Sequence, residues 1–471
     1  MHVVRPSRQP GLVILLRGLL SLTLLGLVSG FVVRPTLLRG LKGTRTPLRH
    51  LVPEAKSYLD APIDDDAYEE CLLLDGDWSH CQQSLPLSEL VTLEEDRYEL
   101  AASPDVIPSL QEGQRLICVG DVHGDIQALR ECLHLAGLID KEQAATSMNN
   151  GGTPLWTGGN TIVVQTGDVL DRGFSELDCF SLLASLSRQA QDEGGHVILL
   201  YGNHESLNAM GLFKYATDDA EYEQHMASVV DEQLNTRRWR VQYVKNQPAR
   251  WATYEPGGLL ARPLLANMKV AVQVGKTVCV HAGLKKEHLD EYGGIESMNQ
   301  QAHQWITTRF DNVTYNNVAN YESPADFWKN AEARQVTYLS TVPPFLGGGV
   351  GSSTPVWMRD YSRPHDAPPR DPNAQSKLEA TLKALDCDRM AMGHTPQLGI
   401  NSVLCGKAWR IDVGMSQGVM SGKPEALEVQ FINGTEEVTV LTRDERIPGQ
   451  ERELYCMLDM MDLLDENHAT A

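Results

Sequence analysis

An α/β fold with a largely parallel core is the class this sequence predicts. Three apolar runs rich in β-branched residues predict it, at 116–119, 162–165 and 197–200, each leading into a glycine-bounded polar cluster. Such runs read as strands buried on both faces of a sheet. Helical periodicity lies between them, at 126–137 with Gly137 as its stop and at 177–191 before Gly194 and Gly195. A strand–helix–strand unit is thus repeated twice, and right-handed crossovers are expected.

Taken in order, the chain begins with a segment unlike the rest. Residues 1–53 hold eight Arg or Lys and no acid, whereas the 471-residue whole carries a formal charge of −21. Arg5 and Arg8 precede an apolar stretch at 18–30 that ends Val28-Ser29-Gly30, the pattern of a cleavable signal for the secretory pathway. The basic, acid-free stretch from Phe31 to Pro53 resembles a transit peptide, so onward transport to a plastid is one expectation. The alternative is an uncleaved anchor counted from Leu12 to Val33, the only route by which this chain would meet a membrane. The acidic balance of the body excludes nucleic acid as a partner, because no basic stripe offsets it.

Residues 54–112 read as an acidic extension packed on the body. It holds Cys71 and Cys81, which the sequence leaves open between a disulfide and two thiols. Nine cysteines are too few for a disulfide scaffold in so long a chain. A catalytic domain is expected over 113–445, followed by a tail at 446–471. Within it the Gly-rich loop at 149–160 lacks the P-loop pattern. Residues 206–276 read as a helical cap whose Trp239, Tyr243, Trp251 and Tyr254 serve packing. A strand at 276–280 ends at His281, and 285–342 is a helical excursion. Residues 390–392 end at Gly393 and His394, and 408–413 and 427–441 read as closing strands. Asn312 and Asn433 begin glycosylation tripeptides, which matter only in a lumenal protein.

The polar clusters carry the chemistry. Ligands collect beyond the carboxyl ends of strands in open α/β sheets, and those ends carry Asp121, His123, Asp168, Asn203, His281 and His394. These are oxygen and nitrogen donors with no thiolate, a set suited to two first-row divalent ions bridged by a carboxylate and acting on a phosphoester. Asp121 and His123 flank Val122, so an extended strand end would turn both toward one ion. Asp168 is the bridge, with Asn203, His281 and His394 as neutral donors to the second ion. His204, beside Asn203, is placed to protonate the leaving group, with Asp171 raising its proton affinity. Arg172 and Arg359 are the cationic forks for phosphoryl oxygens, and Asn203 is expected to reach the phosphate as well. Any one of these residues alone has an ordinary structural explanation as a helix cap or core histidine; their recurrence at strand ends beside glycine does not.

These motifs resemble the PPP-type metallophosphatases of the calcineurin-like metallophosphoesterases, over roughly 113–420. Residues 355–361 (Pro-Val-Trp-Met-Arg-Asp-Tyr), 393–397 (Gly-His-Thr-Pro-Gln) and 409–416 make the chain most similar to Shewanella-like protein phosphatases. The resemblance implies two stacked mixed β-sheets flanked by helices and a binuclear centre loaded with manganese, iron or zinc. It implies hydrolysis of phosphotyrosine or phosphoserine/threonine in a phosphorylated protein or peptide by a metal-bound hydroxide. Two alternatives stand beside it: the same machinery acting on small molecules such as dinucleoside polyphosphates, and an inactive phosphopeptide-binding scaffold. Oligomeric state is left open.

Overall fold

The structure is a computed structural model that describes residues 96–140, 154–217, 248–308 and 339–456. The expectations for the leader, for Cys71 and Cys81, for the start of the Gly-rich loop, for Trp239 and Tyr243 and for Asn312 lie outside the described residues.

Apolar runs and turn residues set the elements in chain order. A short strand β1 (Val106–Ile107) precedes β2 (Arg115–Val119), and α1 (Ile126–Leu135) begins where the Asp125 carboxylate accepts the Ala128 N–H. Next come β3 (Ile162–Gln165), α2 (Glu176–Asp192), β4 (His196–Leu199) and α3 (Asn203–Ala209). The middle of the chain supplies α4 (Pro248–Tyr254), β5 (Ala271–Val274), β6 (Thr277–Val280), α5 (Lys286–Tyr292) and α6 (Gly294–Thr307). The last third adds α7 (Ala374–Leu385), β7 (Arg389–Met392), β8 (Asn401–Val403) and β9 (Ala408–Arg410). It ends with β10 (Ala426–Ile432), β11 (Thr435–Leu441), β12 (Arg446–Pro448) and β13 (Glu453–Tyr455).

Among the described residues these strands form two mixed sheets. One has the order β12-β11-β10-β2-β3-β4, the other β1-β5-β6-β7-β9-β8-β13. In the first, β2, β3 and β4 run parallel, with Leu116 opposite Ile162 and Ile162 opposite His196. In the second, β6, β7 and β9 run parallel. The sheets face each other, since the Cys118 sulfur of β2 lies 3.7 Å from that of Cys279 on β6. Helix α2 buries Leu177, Phe180, Leu183, Leu186 and Ala190, the helical stripe the sequence shows. The expected α/β fold of two mixed sheets flanked by helices is therefore present. No helix of the described residues is long and apolar enough to cross a membrane.

Two expectations change, the helical reading of 206–276 and the end of regular structure at 445. The segment 206–276 is not helical throughout: its described part has α3 and α4, then turns, and ends in β5. The alternation Val270-Ala271-Val272-Gln273-Val274 beside Gly275 makes a hairpin with β6 and outweighs helix propensity. Regular structure also continues past 445, because β12 pairs with β11 and β13 lies parallel to β8. Among the described residues a disulfide joins Cys405 and Cys456, tying the end of β13 to the turn after β8. Asn433 and Gly434 form the two-residue turn of the β10–β11 hairpin, with φ of 50° and 83°. Asn-Gly is the preferred pair for such a turn.

Candidate active site

Five strand ends meet at one place. Asp121 and His123 follow β2, Asp168, Asp171 and Arg172 follow β3, and Asn203 and His204 open α3 after β4. From the other sheet come His281 after β6 and His394 after β7. The loops are sewn together: Val122 and His123 donate their N–H groups to the Asp168 carbonyl, and Gly124 donates to that of Val169. Glu205 adds a second seam, its carboxylate accepting the N–H groups of Asp168, Val169, Leu170 and Gly202.

Five of these residues, His123, Asp168, Asp171, Arg172 and His394, have positive φ between 45° and 70°. Left-handed backbone costs roughly 1–2 kcal/mol at each such position. The expectation that an extended strand end turns Asp121 and His123 to one ion is thus corrected. β2 stops at Val119 and His123 is left-handed, so it is the extended backbone that is corrected, and Asp121 belongs to neither of the two histidine triads of the site.

Among the described residues, two triads could each hold a metal ion: His123, Asp168 and His204, and Asp168, His281 and His394. Asp168 belongs to both. Its Oδ2 lies 3.3 Å from His281 Nε2, 3.7 Å from His204 Nε2 and 3.8 Å from His123 Nε2. Asn203 Oδ1 lies 3.0 Å from His281 Nε2, beside the second triad. The Asp121 carboxylate instead accepts the backbone N–H of His394 at 3.1 Å from both oxygens. His123 and His281 hydrogen-bond through Nδ1 to the carbonyls of Leu170 and Thr166, and His394 through Nε2 to that of Trp357. In His123 and His394 the other nitrogen is thereby left as a lone pair, while His281 Nε2 faces the Asn203 and Asp168 oxygens.

The electrostatics fit a divalent cation. Burial, then the neighbouring Asp412 and Asp168 carboxylates, push the Asp121 carboxyl well above its ordinary value. Burial likewise lifts Asp412 to about 6. Burial and the adjacent His204 lower His123 to about 3, and burial with His281 and Arg359 lowers His394, so both rings are neutral donors. Crowded buried carboxylates beside neutral imidazoles are a donor set completed by a cation.

His204 stands between this centre and a separate polar network. Its Nδ1 is 2.5 Å from Asp171 Oδ2, and its Nε2 is 3.3 Å from the Arg172 guanidinium. Burial disfavours the charged ring, but Asp168 and the Asp171 hydrogen bond outweigh it and raise its pKa. Arg172 is held by its N–H to the Tyr215 carbonyl, with the Tyr215 ring 5.7 Å from its guanidinium. Arg359 reaches the rim from the 355–361 loop, its Nη2 3.5 Å from the His394 carbonyl.

The sequence reading missed Asp412, Glu176, Asn208 and Arg250, and gave Glu205 no role. Asp412 had a signal: it lies two residues beyond β9, just as Asp121 lies two beyond β2, with a glycine following at 414. Close packing at Gly202 yields a test. A Cβ there would run into Asp168 Oδ1 and lie 2.5 Å from the Asp168 nitrogen. Gly202→Ala is therefore expected to cost about 1–3 kcal/mol by overpacking and to weaken metal binding together with Tm. Thermal unfolding and metal analysis of the same preparation check it, and an unchanged pair of values would contradict the packing.

The profile of the calcineurin-like phosphoesterases matches residues 114–398. Shewanella-like protein phosphatase 2 of Arabidopsis thaliana is 33% identical over 352 residues, spanning 70% of this chain and 78% of that protein. Shewanella-like protein phosphatase 1 of Plasmodium berghei is 25% identical over 66% of this chain and 69% of its own. Among solved structures, the cold-active protein-tyrosine phosphatase of a psychrophilic Shewanella species covers 75% of this chain and 84% of its own, at 19% identity and a TM-score of 0.48. The family profile and the Arabidopsis relative together establish that this chain belongs to the calcineurin-like phosphoesterases, metal-dependent phosphatases in which the Shewanella-like protein phosphatases are its relatives.

Proposed function

We propose that the chain is a phosphoprotein phosphatase that hydrolyses phosphomonoesters at a centre of two divalent ions, manganese, iron or zinc. The single observation that carries this reading is Asp168 shared between two histidine triads, with the His204–Asp171 pair and two arginines at their edge. The relatives named as protein phosphatases support a phosphoprotein substrate. Asp121, His123, Asp168, Asn203, His281 and His394 would hold the ions, which when bound supply Lewis acidity and a more acidic water.

The chain's own residues do the rest. Arg172 and Arg359 bind the phosphoryl oxygens, with Asn203 beside them, and so supply the local cations an acidic protein needs to hold a dianion. Water adds to phosphorus as the bond to the leaving oxygen breaks. His204 Nε2 gives its proton to that oxygen, while Asp171 keeps the ring charged and oriented until then.

The test is turnover by the full chain with manganese supplied, on phosphotyrosine and phosphoserine/threonine peptides and a dinucleoside tetraphosphate. Preference for a phosphopeptide, abolished by a chelator and restored by metal, is expected. Preference for the nucleotide would make this a small-molecule hydrolase, and no turnover with metals bound would make it a scaffold.

A further inference from the structure

Among the described residues outside the strand-end motifs, a fully buried cation touches the acid machinery. Arg250 is carried by α4, 79 residues along the chain from Asp171. Pro248 opens that helix, a position where its missing N–H costs nothing. Trp251 and Tyr254 anchor the helix in the core. The Arg250 guanidinium lies 5.6 Å from the Tyr254 ring and 6.0 Å from that of Phe213, so its stem and plane are fixed by packing as well as by charge.

Its hydrogen bonds converge on one residue. Nη1 and Nη2 fork onto the Glu176 carboxylate at 2.7 and 2.6 Å, and Nη2 also donates to Asp171 Oδ1 at 2.8 Å. Nε donates to Asn208 Oδ1 at 2.5 Å. Asn208 in turn donates to Asp171 Oδ1 at 2.9 Å and to the His204 carbonyl at 2.8 Å. Glu176 accepts the Asp171 N–H at 2.5 Å. Asp171 is thus held at its backbone and twice at Oδ1, and Oδ2 is left facing His204 Nδ1. A carboxylate fixed on one oxygen presents the other at one angle, which fixes the ring that bonds to it.

We infer that Arg250 is a positioning residue for the acid step: from α4 it locks Asp171, and through Asp171 it aims the His204 proton at the leaving oxygen. The inference rests on the assignment of His204 as the acid. It also makes proton donation conditional on α4 being docked, a dependence that the strand-end motifs alone do not contain.

A purely structural ion pair would slow all substrates alike, whereas misaligned acid hurts poor leaving groups most. Phenolate needs a proton as it departs; 2,4-dinitrophenolate does not. The experiment compares kcat on phenyl phosphate with kcat on 2,4-dinitrophenyl phosphate, using the manganese-loaded full chain and a metal analysis of each variant. Arg250→Met leaves two carboxylates buried without their cation and is apt to unfold. Arg250→Lys keeps the charge and loses the fork, and is the deciding variant.

Arg250→Lys is expected to lower the phenyl to dinitrophenyl ratio by about 10-fold or more with metals retained. In an Asp171→Asn background the same change should leave the ratio where Asp171→Asn puts it, since residues acting in one chain are non-additive. A wild-type ratio in Arg250→Lys overturns the inference, and so does an additive fall in the double variant. His204→Asn is the control for the underlying assignment. If it too keeps the wild-type ratio, the acid assignment itself fails and takes this inference with it; if it alone lowers the ratio, the acid stands and Arg250 is only structural.

Discussion

Asp168→Asn is expected to lower kcat/KM by at least about 10³-fold, roughly 4 kcal/mol of transition-state stabilisation, and to deplete metal at both positions. Asp168 is the one residue common to the two triads, with three imidazoles within 3.8 Å of its Oδ2. Burial works against its charge, yet the neighbouring His281 and His204 rings hold the carboxyl well below its ordinary value. Asparagine keeps the shape and the oxygen at Oδ1, which accepts the His204 N–H. It loses the charge and replaces one donor atom by an NH₂ that cannot bind a cation. Shape is conserved while coordination is not, so folding should survive and occupancy should not. Metal content by mass spectrometry beside kcat/KM gives the answer; full loading of both positions would remove Asp168 from any bridging role.

The contrast with Gly202→Ala shows how local packing serves the same residue. There the carboxylate is kept and displaced; here it is kept in place and discharged. Both should cost metal, but only the glycine change should also cost stability, because only it forces atoms together.

What the sequence could reveal about this site follows from how far apart its parts are. Asp121, Asp168, Asn203, His281 and His394 each follow a predicted apolar run by a few residues, so strand ends alone located them. The left-handed turns at His123, Asp171 and Arg172 were not legible, because the residues that take them are not glycine and neighbouring loops impose them. The arrangement of the triads depends on those turns, and the reading of 121–123 as extended backbone failed there. Arg250 was invisible for another reason. It sits in a short helix with no motif, and only the docking of α4 brings it to Asp171. Cys456 is similar, since its partner Cys405 lies 51 residues away and β13 must pair with β8 before the two can meet. Local pattern reported the strands; contacts made after the chain folds completed the site.

His204→Asn is expected to reduce kcat by about 10²- to 10⁴-fold, the usual worth of a general acid, while both metal positions stay loaded. Asparagine cannot donate a proton to a departing oxygen at any useful driving force. His204 is set up to do so: Nδ1 is fixed on Asp171, Nε2 lies beside the Arg172 guanidinium, and its pKa is raised against burial by Asp168 and Asp171. The sign of the pH dependence follows. A raised pKa keeps the ring protonated to higher pH, so wild-type turnover should fall on the alkaline side as His204 loses its proton, and the asparagine variant should lack that limb. Metal retention separates this result from the Asp168 one. His204 Nε2 is 3.7 Å from Asp168 Oδ2, near enough to be counted with the first triad, so geometry alone permits a ligand role. Loss of metal with loss of turnover would assign His204 to coordination. Loss of turnover and of the alkaline limb with metals in place would make it the acid, because those two observations together have no coordination explanation.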